Sequence, residues 1–191
     1  VGIFNYSYSI VAYFVLFGTL GSALFAQREI AFYQENPEKR SKVFGEIVIL
    51  RMFTVVITIG IYLIFAFSVK RYHTVFLILV TELISTAFDI TWFFQGMEDF
   101  GKIVIRNTIF KILGIILIFV FVKSPADLYK YAFCFTIPTL LGNLSLWVYL
   151  PKYLVKSKPE LKSVASYVKP MLALFVPQIA IEVYTILDKT M

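Results

Sequence analysis

The sequence ILGIILIFVFV, residues 112–122, decides the fold class, because it runs for eleven residues without a charged or hydrogen-bonding side chain. A membrane-spanning strand alternates apolar and polar side chains over about ten residues, so an unbroken apolar run indicates a helix. A helix needs roughly 20 apolar residues to cross the hydrocarbon core of a bilayer. Six segments meet this requirement, and the predicted spans are residues 3–26, 44–69, 74–94, 103–122, 128–150 and 170–190.

The composition of the whole chain leads to the same fold class. Of the 191 residues, 59% are hydrophobic and 16% are charged, and the mean hydropathy is +0.80. Soluble domains are about half apolar and about a quarter charged. We therefore predict an all-α, polytopic transmembrane helix bundle with about six spans. The formal net charge of +6 lies mostly between the apolar runs, where it sets orientation in a membrane and does not indicate nucleic-acid binding.

Basic residues are distributed unevenly over the connections, and this predicts the orientation. The first, third and fifth connections carry eleven Lys and Arg residues, whereas the second and fourth carry four. By the positive-inside rule, the loops near residues 27–43, 95–102 and 151–169 are cytoplasmic. The first helix then runs from outside to inside, so we expect one more helix before Val1 in a longer protein.

Ionisable residues inside the predicted spans are the candidates for function, because a charge in lipid is costly and usually marks a transport path. In the third span, Glu82 and Asp89 lie two turns apart on one helix face. In the sixth span, Glu182 and Lys189 repeat this spacing, with Asp188 beside them. We interpret these carboxylates as coupling or cavity groups. Serine, threonine and asparagine residues in the spans favour hydrogen bonds between helices instead.

Three further basic residues, Arg51, Arg106 and Lys111, lie towards the cytoplasmic ends of their spans. They either line a cavity or extend their charged ends to the interface. Pro138 and Pro177 lie inside the fifth and sixth spans, where proline kinks a helix, and both are hinge candidates.

The sequence offers little for enzymatic chemistry. One cysteine and one histidine give neither an internal disulfide nor a metal site. No phosphate-binding loop or nucleophile motif is present in the sequence. We expect no catalytic residue, no metal and no cofactor.

Five strings resemble Wzx-type polysaccharide flippases, which belong to the superfamily of multidrug, oligosaccharidyl-lipid and polysaccharide exporters. They are QREIA at 27–31, DITWFFQGMEDF at 89–100, KP at 169–170, LFVPQIA at 174–180 and LDKTM at 187–191. The resemblance covers nearly the whole chain, and the second and last strings are its most specific parts.

The resemblance implies two six-helix lobes joined by a cytoplasmic loop. Residues 1–150 would form five helices of the first lobe, residues 151–169 the basic linker, and residues 170–191 the truncated first helix of the second lobe. The implied activity moves oligosaccharide repeat units on undecaprenyl pyrophosphate across the cytoplasmic membrane by alternating access. The cationic cavity residues by this resemblance are Arg28, Arg51, Arg106, Lys111 and Lys189. Its partners would be the bilayer, the lipid-linked oligosaccharide and, as further candidates, a polysaccharide polymerase and other export components.

Two other functions stay open. An ion-coupled multidrug or small-molecule exporter of the same superfamily would bind protons or sodium at Glu82 and Asp89. A membrane enzyme that acts on polyprenyl-linked sugars is the alternative from another class. Such enzymes usually carry a large external loop, and the predicted external connections here are only a few residues long.

Overall fold

The computed structural model describes residues 2–69, 72–124 and 126–190, and the side chains of residues 161, 162, 182, 183 and 185–190 lie outside that description. Within these ranges the chain forms eight α-helices and one 3-10 turn, and it contains no strand. The α-helices are α1 (Gly2–Thr19), α2 (Ser22–Phe32), α3 (Pro37–Ser68), α4 (His73–Phe88), α5 (Thr91–Gly96), α6 (Phe100–Phe121), α7 (Leu128–Trp147) and α8 (Leu161–Thr190), and the 3-10 turn is Leu150–Lys152.

The predicted all-α polytopic membrane bundle is confirmed. Five helical segments of the described chain are long and apolar enough to cross a membrane, and the bent pair α1–α2 makes six if it counts as one span. The second span begins at Pro37, earlier than the predicted residue 44. The Asn36 side chain accepts the Lys39 N–H at 3.1 Å, and proline suits the first helical position, so the helix begins in the polar connection.

The first predicted span is bent by 42° where α1 meets α2. Leu20 and Gly21 have positive φ angles of 45° and 71°, which end one helix before the next begins. A side chain at Gly21 would place its Cβ 2.9 Å from the Met171 carbonyl oxygen of α8. Glycine therefore permits both the left-handed backbone and the close approach of α8 at the bend.

The third predicted span is interrupted between α4 and α5. Asp89 and Ile90 leave the helix, with Asp89 in an extended conformation at φ −71° and ψ 109°. The short helix α5 then lies in the interior, and Trp92, Phe93 and Phe94 are almost wholly buried. A side chain at Gly96 would place its Cβ 2.6 Å from the Gln27 carbonyl oxygen, so glycine allows α5 to approach α2.

Two apolar clusters form the interior. One surrounds α5 and includes Phe44 and Ile47 of α3, and the other lies between α1, α3 and α4 around Tyr62 and Phe76. Helix α6 differs from its neighbours, because Ile103 is its one buried residue in the described chain. Its apolar side chains face outward, as lipid-exposed side chains do in a membrane span.

Helix α8 begins at Leu161 and continues through Pro170 and Pro177 without leaving the helical conformation. It packs against α1, α2 and α3. Residues 153–160, which connect the 3-10 turn to α8, form no helix after Tyr153.

Candidate functional site

A group of polar side chains meets at the interruption between α4 and α5, and we call it the break cluster. It brings together four helices and the residues of the break. Its members are Arg51 of α3, Ser85 of α4, Asp89 and Thr91 at the break, Arg106 of α6 and Asn143 of α7.

The break cluster satisfies the backbone carbonyls that α4 leaves without helical partners. The last carbonyl groups of a helix need other donors, and water is absent from the hydrocarbon core. Asn143 Nδ2 donates to the Ser85 carbonyl at 2.9 Å and Arg51 Nε donates to the Thr86 carbonyl at 3.0 Å. Trp147 Nε1 donates to the Phe88 carbonyl at 2.8 Å. Side chains from α3 and α7 thus stabilise an interruption that lipid alone would not tolerate.

The ionised groups of the cluster form a chain from α3 to α7. Arg51 Nη2 lies 3.6 Å from Asp89 Oδ2, and the Thr91 hydroxyl donates to Asp89 Oδ1 at 2.5 Å. Arg106 donates to the same Thr91 oxygen at 2.8 Å and to Asn143 Oδ1 at 2.6 Å. Two guanidinium groups therefore share one carboxylate, and the cluster carries an excess positive charge.

The two guanidinium groups also keep unused donors. Arg51 is only 3% exposed, and its Nη1 has no hydrogen-bond partner in the described part of the chain. The same is true of Arg106 Nε. Arginine offers several donors in a planar fork that matches phosphate oxygens. The chemistry of this cluster suits an anionic oxygen ligand.

The other cationic candidates lie apart from the break cluster. Arg28 is exposed on α2 and lines two cavities, one of about 440 Å³ beside α5 and one of about 380 Å³ beside α8. Lys111 lines a cavity of about 560 Å³ between α6 and α7, and Arg106 borders the same cavity. Lys189 belongs to the residues whose side chains lie outside the described part of the chain.

The carboxylate candidates are also separated. Asp89 belongs to the break cluster, whereas Glu82 lies on α4 and its Oε1 accepts from the Tyr8 hydroxyl at 3.4 Å. Glu82 Oε2 is buried and has no hydrogen-bond partner among the described residues. The side chains of Glu182 and Asp188 lie outside the described part.

Both hinge candidates lie inside helices. Pro138 is buried in α7 and lines the cavity between α6 and α7. Pro177 lies in α8 and is exposed.

Sequence reasoning missed several residues that hold the site. It gave Thr91 and Trp147 no role, and it considered Asn143 only as a general interhelical contact. The sequence Asp-x-Thr at 89–91 could have indicated the break in the helix. An aspartate side chain often accepts a hydrogen bond from the backbone N–H two residues later, and Asp89 accepts the Thr91 N–H at 3.0 Å.

Glu46 of α3 was missed as well. It is fully buried, and its two oxygens accept from the Glu160 N–H at 2.9 Å and from the Tyr167 hydroxyl at 2.6 Å. Its signal was a glutamate near the start of the second apolar run.

Histidine, cysteine, aspartate and glutamate side chains form no group of three or more that could hold a metal ion in the described ranges. The break cluster has one carboxylate and two guanidinium groups, which is the wrong charge for a cation site.

Comparison with known proteins assigns the family. A protein of Shigella dysenteriae named "Putative O-antigen transporter" is 29% identical over 150 residues, which are 76% of this chain and 38% of that protein. The chain thus spans well under half the length of this relative. No solved structure matches the chain significantly. The whole chain, residues 1–191, matches the profile of the family described as "Polysaccharide biosynthesis protein", and the chain belongs to that family.

Proposed function

We propose that this chain is part of a flippase that moves undecaprenyl-pyrophosphate-linked oligosaccharide repeat units across the cytoplasmic membrane by alternating access. The observation that carries the proposal is the break cluster, which holds the buried guanidinium group of Arg51, the half-buried one of Arg106 and one carboxylate inside a membrane bundle. Membership of a polysaccharide biosynthesis family and the name of the Shigella dysenteriae relative support the substrate class. This role is transport and not catalysis.

The break cluster offers what a charged and polar substrate needs in order to cross a membrane. A pyrophosphate carries negative charge that hydrocarbon cannot solvate, and each sugar brings hydroxyl groups that would lose their hydrogen bonds there. Excess positive charge at membrane depth lowers the barrier for the pyrophosphate. The free donors of Arg51 and Arg106 are the groups we propose to contact it. Arg28, which is exposed beside α8, is the proposed first contact at the membrane surface, and we keep Lys189 as a further cationic candidate.

The three basic connections come together at one end of the bundle, which supports a shared cytoplasmic side for residues 27–43, 95–102 and 151–169. Gln34 Nε2 donates to the Met97 carbonyl at 3.4 Å, which joins the first basic connection to the third. Arg40 donates to the Tyr153 carbonyl, and the Tyr153 hydroxyl donates to Asp99 at 2.5 Å. We propose residues 1–150 as part of one lobe, residues 151–169 as a cytoplasmic linker, and residues 170–191 as the first helix of a second lobe.

The carboxylates take separate roles in this proposal. Asp89 is the counter-ion that holds Arg51, because the two lie 3.6 Å apart. Glu82 is the proposed coupling group, since its Oε2 is buried without a described partner and could accept a proton or a sodium ion. This observation also favours the second candidate function, an ion-coupled small-molecule exporter.

The test replaces Arg51 in the complete protein and measures surface polysaccharide in a strain that lacks its own flippase. We expect Arg51→Ala to lower export by about tenfold to a hundredfold, because a charge-assisted hydrogen bond contributes about 1.5–3 kcal/mol. Arg51→Lys keeps the charge, and we expect partial export. Lys39→Ala, at the exposed start of α3, is the matched control and should export normally.

Membrane levels of each variant are measured in parallel by immunoblot. Full polysaccharide export by Arg51→Ala at normal membrane levels would overturn the role of the break cluster. Dye export that depends on Glu82, without polysaccharide export, would select the second candidate. If the Arg51→Ala protein is absent from the membrane, the test moves to Arg51→Lys. Reduced export at normal membrane levels would support the role of the guanidinium group, and undiminished export would overturn it.

A further inference from the structure

We infer that the groove between α6 and α7 binds an anionic phospholipid, with its phosphate at Asn107 and Lys111 and an acyl chain along Gly114 and Ile118. This groove is the cavity of about 560 Å³, within the range of about 300–1,000 Å³ that is usual for ligand sites. The inference does not rest on the proposed function.

The groove has a polar end and an apolar end. At the polar end, Asn107 and Lys111 are four residues apart on α6, so they share one helix face, and both are exposed. Gly114, Ile115 and Ile118 continue the same wall and are apolar. A lipid in the leaflet at the Phe100 end of α6 would place its head group at the polar end of the groove and its acyl chain at the apolar end.

The charge of the lining selects an anionic head group. Among the described residues that line the groove, Lys111 and Arg106 are basic and none is acidic. The two terminal nitrogens of Arg106 donate to Thr91 and Asn143 in the break cluster, so Lys111 is the cation of the groove that makes no hydrogen bond within the described ranges. The Lys111 ammonium has no ion pair or hydrogen bond within the described ranges.

Lys111 lies near the middle of α6, where an anionic partner would stabilise its charge. Lys111 is eleven residues after Phe100, which places its Cα about 16 Å along α6. Helical side chains lean towards the N-terminus of their helix, so a lysine here reaches back towards the leaflet at the Phe100 end. An unpaired ammonium within a membrane costs about 2.5–3.5 kcal/mol at the helix centre, and pairing with a lipid phosphate would offset part of that cost.

The backbone shapes the apolar end for a chain. Gly114 has no side chain, and a Cβ there would lie 3.6 Å from both the Cys134 carbonyl oxygen and Pro138 Cγ of α7. Glycine thus lets α6 and α7 approach closely, and Gly114 forms the floor of a furrow that no α6 side chain fills at this position. Helix α6 has one buried residue in the described chain, so the furrow opens outward, where lipid is the solvent.

The experiment uses the complete protein, delipidated in detergent, and native mass spectrometry with dioleoyl phosphatidylglycerol or dioleoyl phosphatidylcholine. We expect phosphatidylglycerol to bind about tenfold more tightly than phosphatidylcholine, and Lys111→Gln to lose about tenfold of that affinity, as for one charge-assisted hydrogen bond. Lys111→Arg should keep the preference. Lys130→Gln is the matched control, because Lys130 is exposed and paired with Asp127.

A second pair of variants tests the furrow. Gly114→Leu should fill it and lower the affinity for phosphatidylglycerol, whereas Gly60→Leu, which adds the same side chain to open space on α3, should not. Equal binding of the two lipids by the unsubstituted protein would overturn the inference, and that result needs no variant. It would also be overturned if undecaprenyl phosphate bound at Lys111 and phosphatidylglycerol did not compete.

Discussion

Two polar regions of the described chain have different roles. The break cluster lies inside the bundle, where Arg51 faces the carboxylate of Asp89 directly and Arg106 is linked to it through Thr91. The second region, which we call the linker seam, joins the start of α3 to the segment before α8. Its members are Arg40, Ser41, Lys42 and Glu46 on α3 and Tyr153, Val155, Glu160 and Tyr167 on the other side.

The two regions differ in how charge is balanced. In the linker seam, Lys42 pairs with Glu160 at 2.9 Å, and Glu46 accepts two hydrogen bonds. Its groups bind backbone and side chains more than a hundred residues away, so it holds the linker in place. The break cluster instead keeps an excess cation and free donors at membrane depth. Balanced charges suit the linker seam, which holds two segments together. An excess of positive charge suits the binding of an anion, as we propose for the break cluster.

Removing the carboxylate of the break cluster should have the largest effect. Asp89→Ala removes the counter-ion of the buried Arg51 and the acceptor of the Thr91 hydroxyl. Breaking a fully buried pair costs about 3–5 kcal/mol, and we expect a smaller cost here because the Asp89 side chain is 30% exposed. We expect a fall in the thermal unfolding midpoint in detergent. The double variant Arg51→Met with Asp89→Ala should recover part of the loss, because it removes the uncompensated charge. Strictly additive losses would contradict the coupling of these residues.

Loss of Glu46 should have a smaller and more local effect. Glu46→Ala leaves the Glu160 N–H and the Tyr167 hydroxyl without their acceptor. Neither residue is buried, so water can replace the lost acceptor, and each lost hydrogen bond costs about 0.5–1.5 kcal/mol. We expect faster trypsin cleavage after Lys156, whereas Lys158 is protected from trypsin in every variant because Pro159 follows it. Glu38→Ala, on the exposed first turn of the same helix, is the control. Unchanged cleavage in Glu46→Ala would show that the linker is held by other contacts.

The smallest effect should come from Asp99 at the surface end of the bundle. A hydrogen bond from the Lys102 ammonium, with a second from the Tyr153 hydroxyl, holds the pKa of Asp99 below its usual 3.8. Its stabilisation is therefore complete above about pH 3.8 and is lost as the pH falls through the lower pKa of the folded protein. We expect Asp99→Asn to cost less than about 1 kcal/mol at pH 7. The unfolding midpoints of the two proteins should approach each other as the pH falls below about 3.8, and a constant gap would refute this account.

Much of the fold was predictable from residues alone, because membrane helices are read from apolar runs of sufficient length. Residues 112–121 of the apolar run lie in α6. Asn36 and Pro37 could have predicted that α3 begins at residue 37. The interruption at Asp89 was not predictable in the same way. Residues 74–94 have the hydropathy of a continuous span, and the helix ends there because Arg51, Asn143 and Trp147 supply donors from other helices.

The sequence by itself determined that this chain is an α-helical membrane protein with polar residues inside its spans, since lipid makes each apolar run a helix and each internal charge an exception. Only the tertiary structure decided which exceptions act together. Arg51, Asp89 and Arg106 meet because α3, the α4–α5 break and α6 converge. Lys111, five residues after Arg106, lines the groove between α6 and α7 and makes no described hydrogen bond to the cluster. The hydropathy of a residue predicts whether its side chain is stable in lipid. The hydrogen-bond partners of a buried charge come from distant helices, and they determine whether that charge is neutralised or free to bind a ligand.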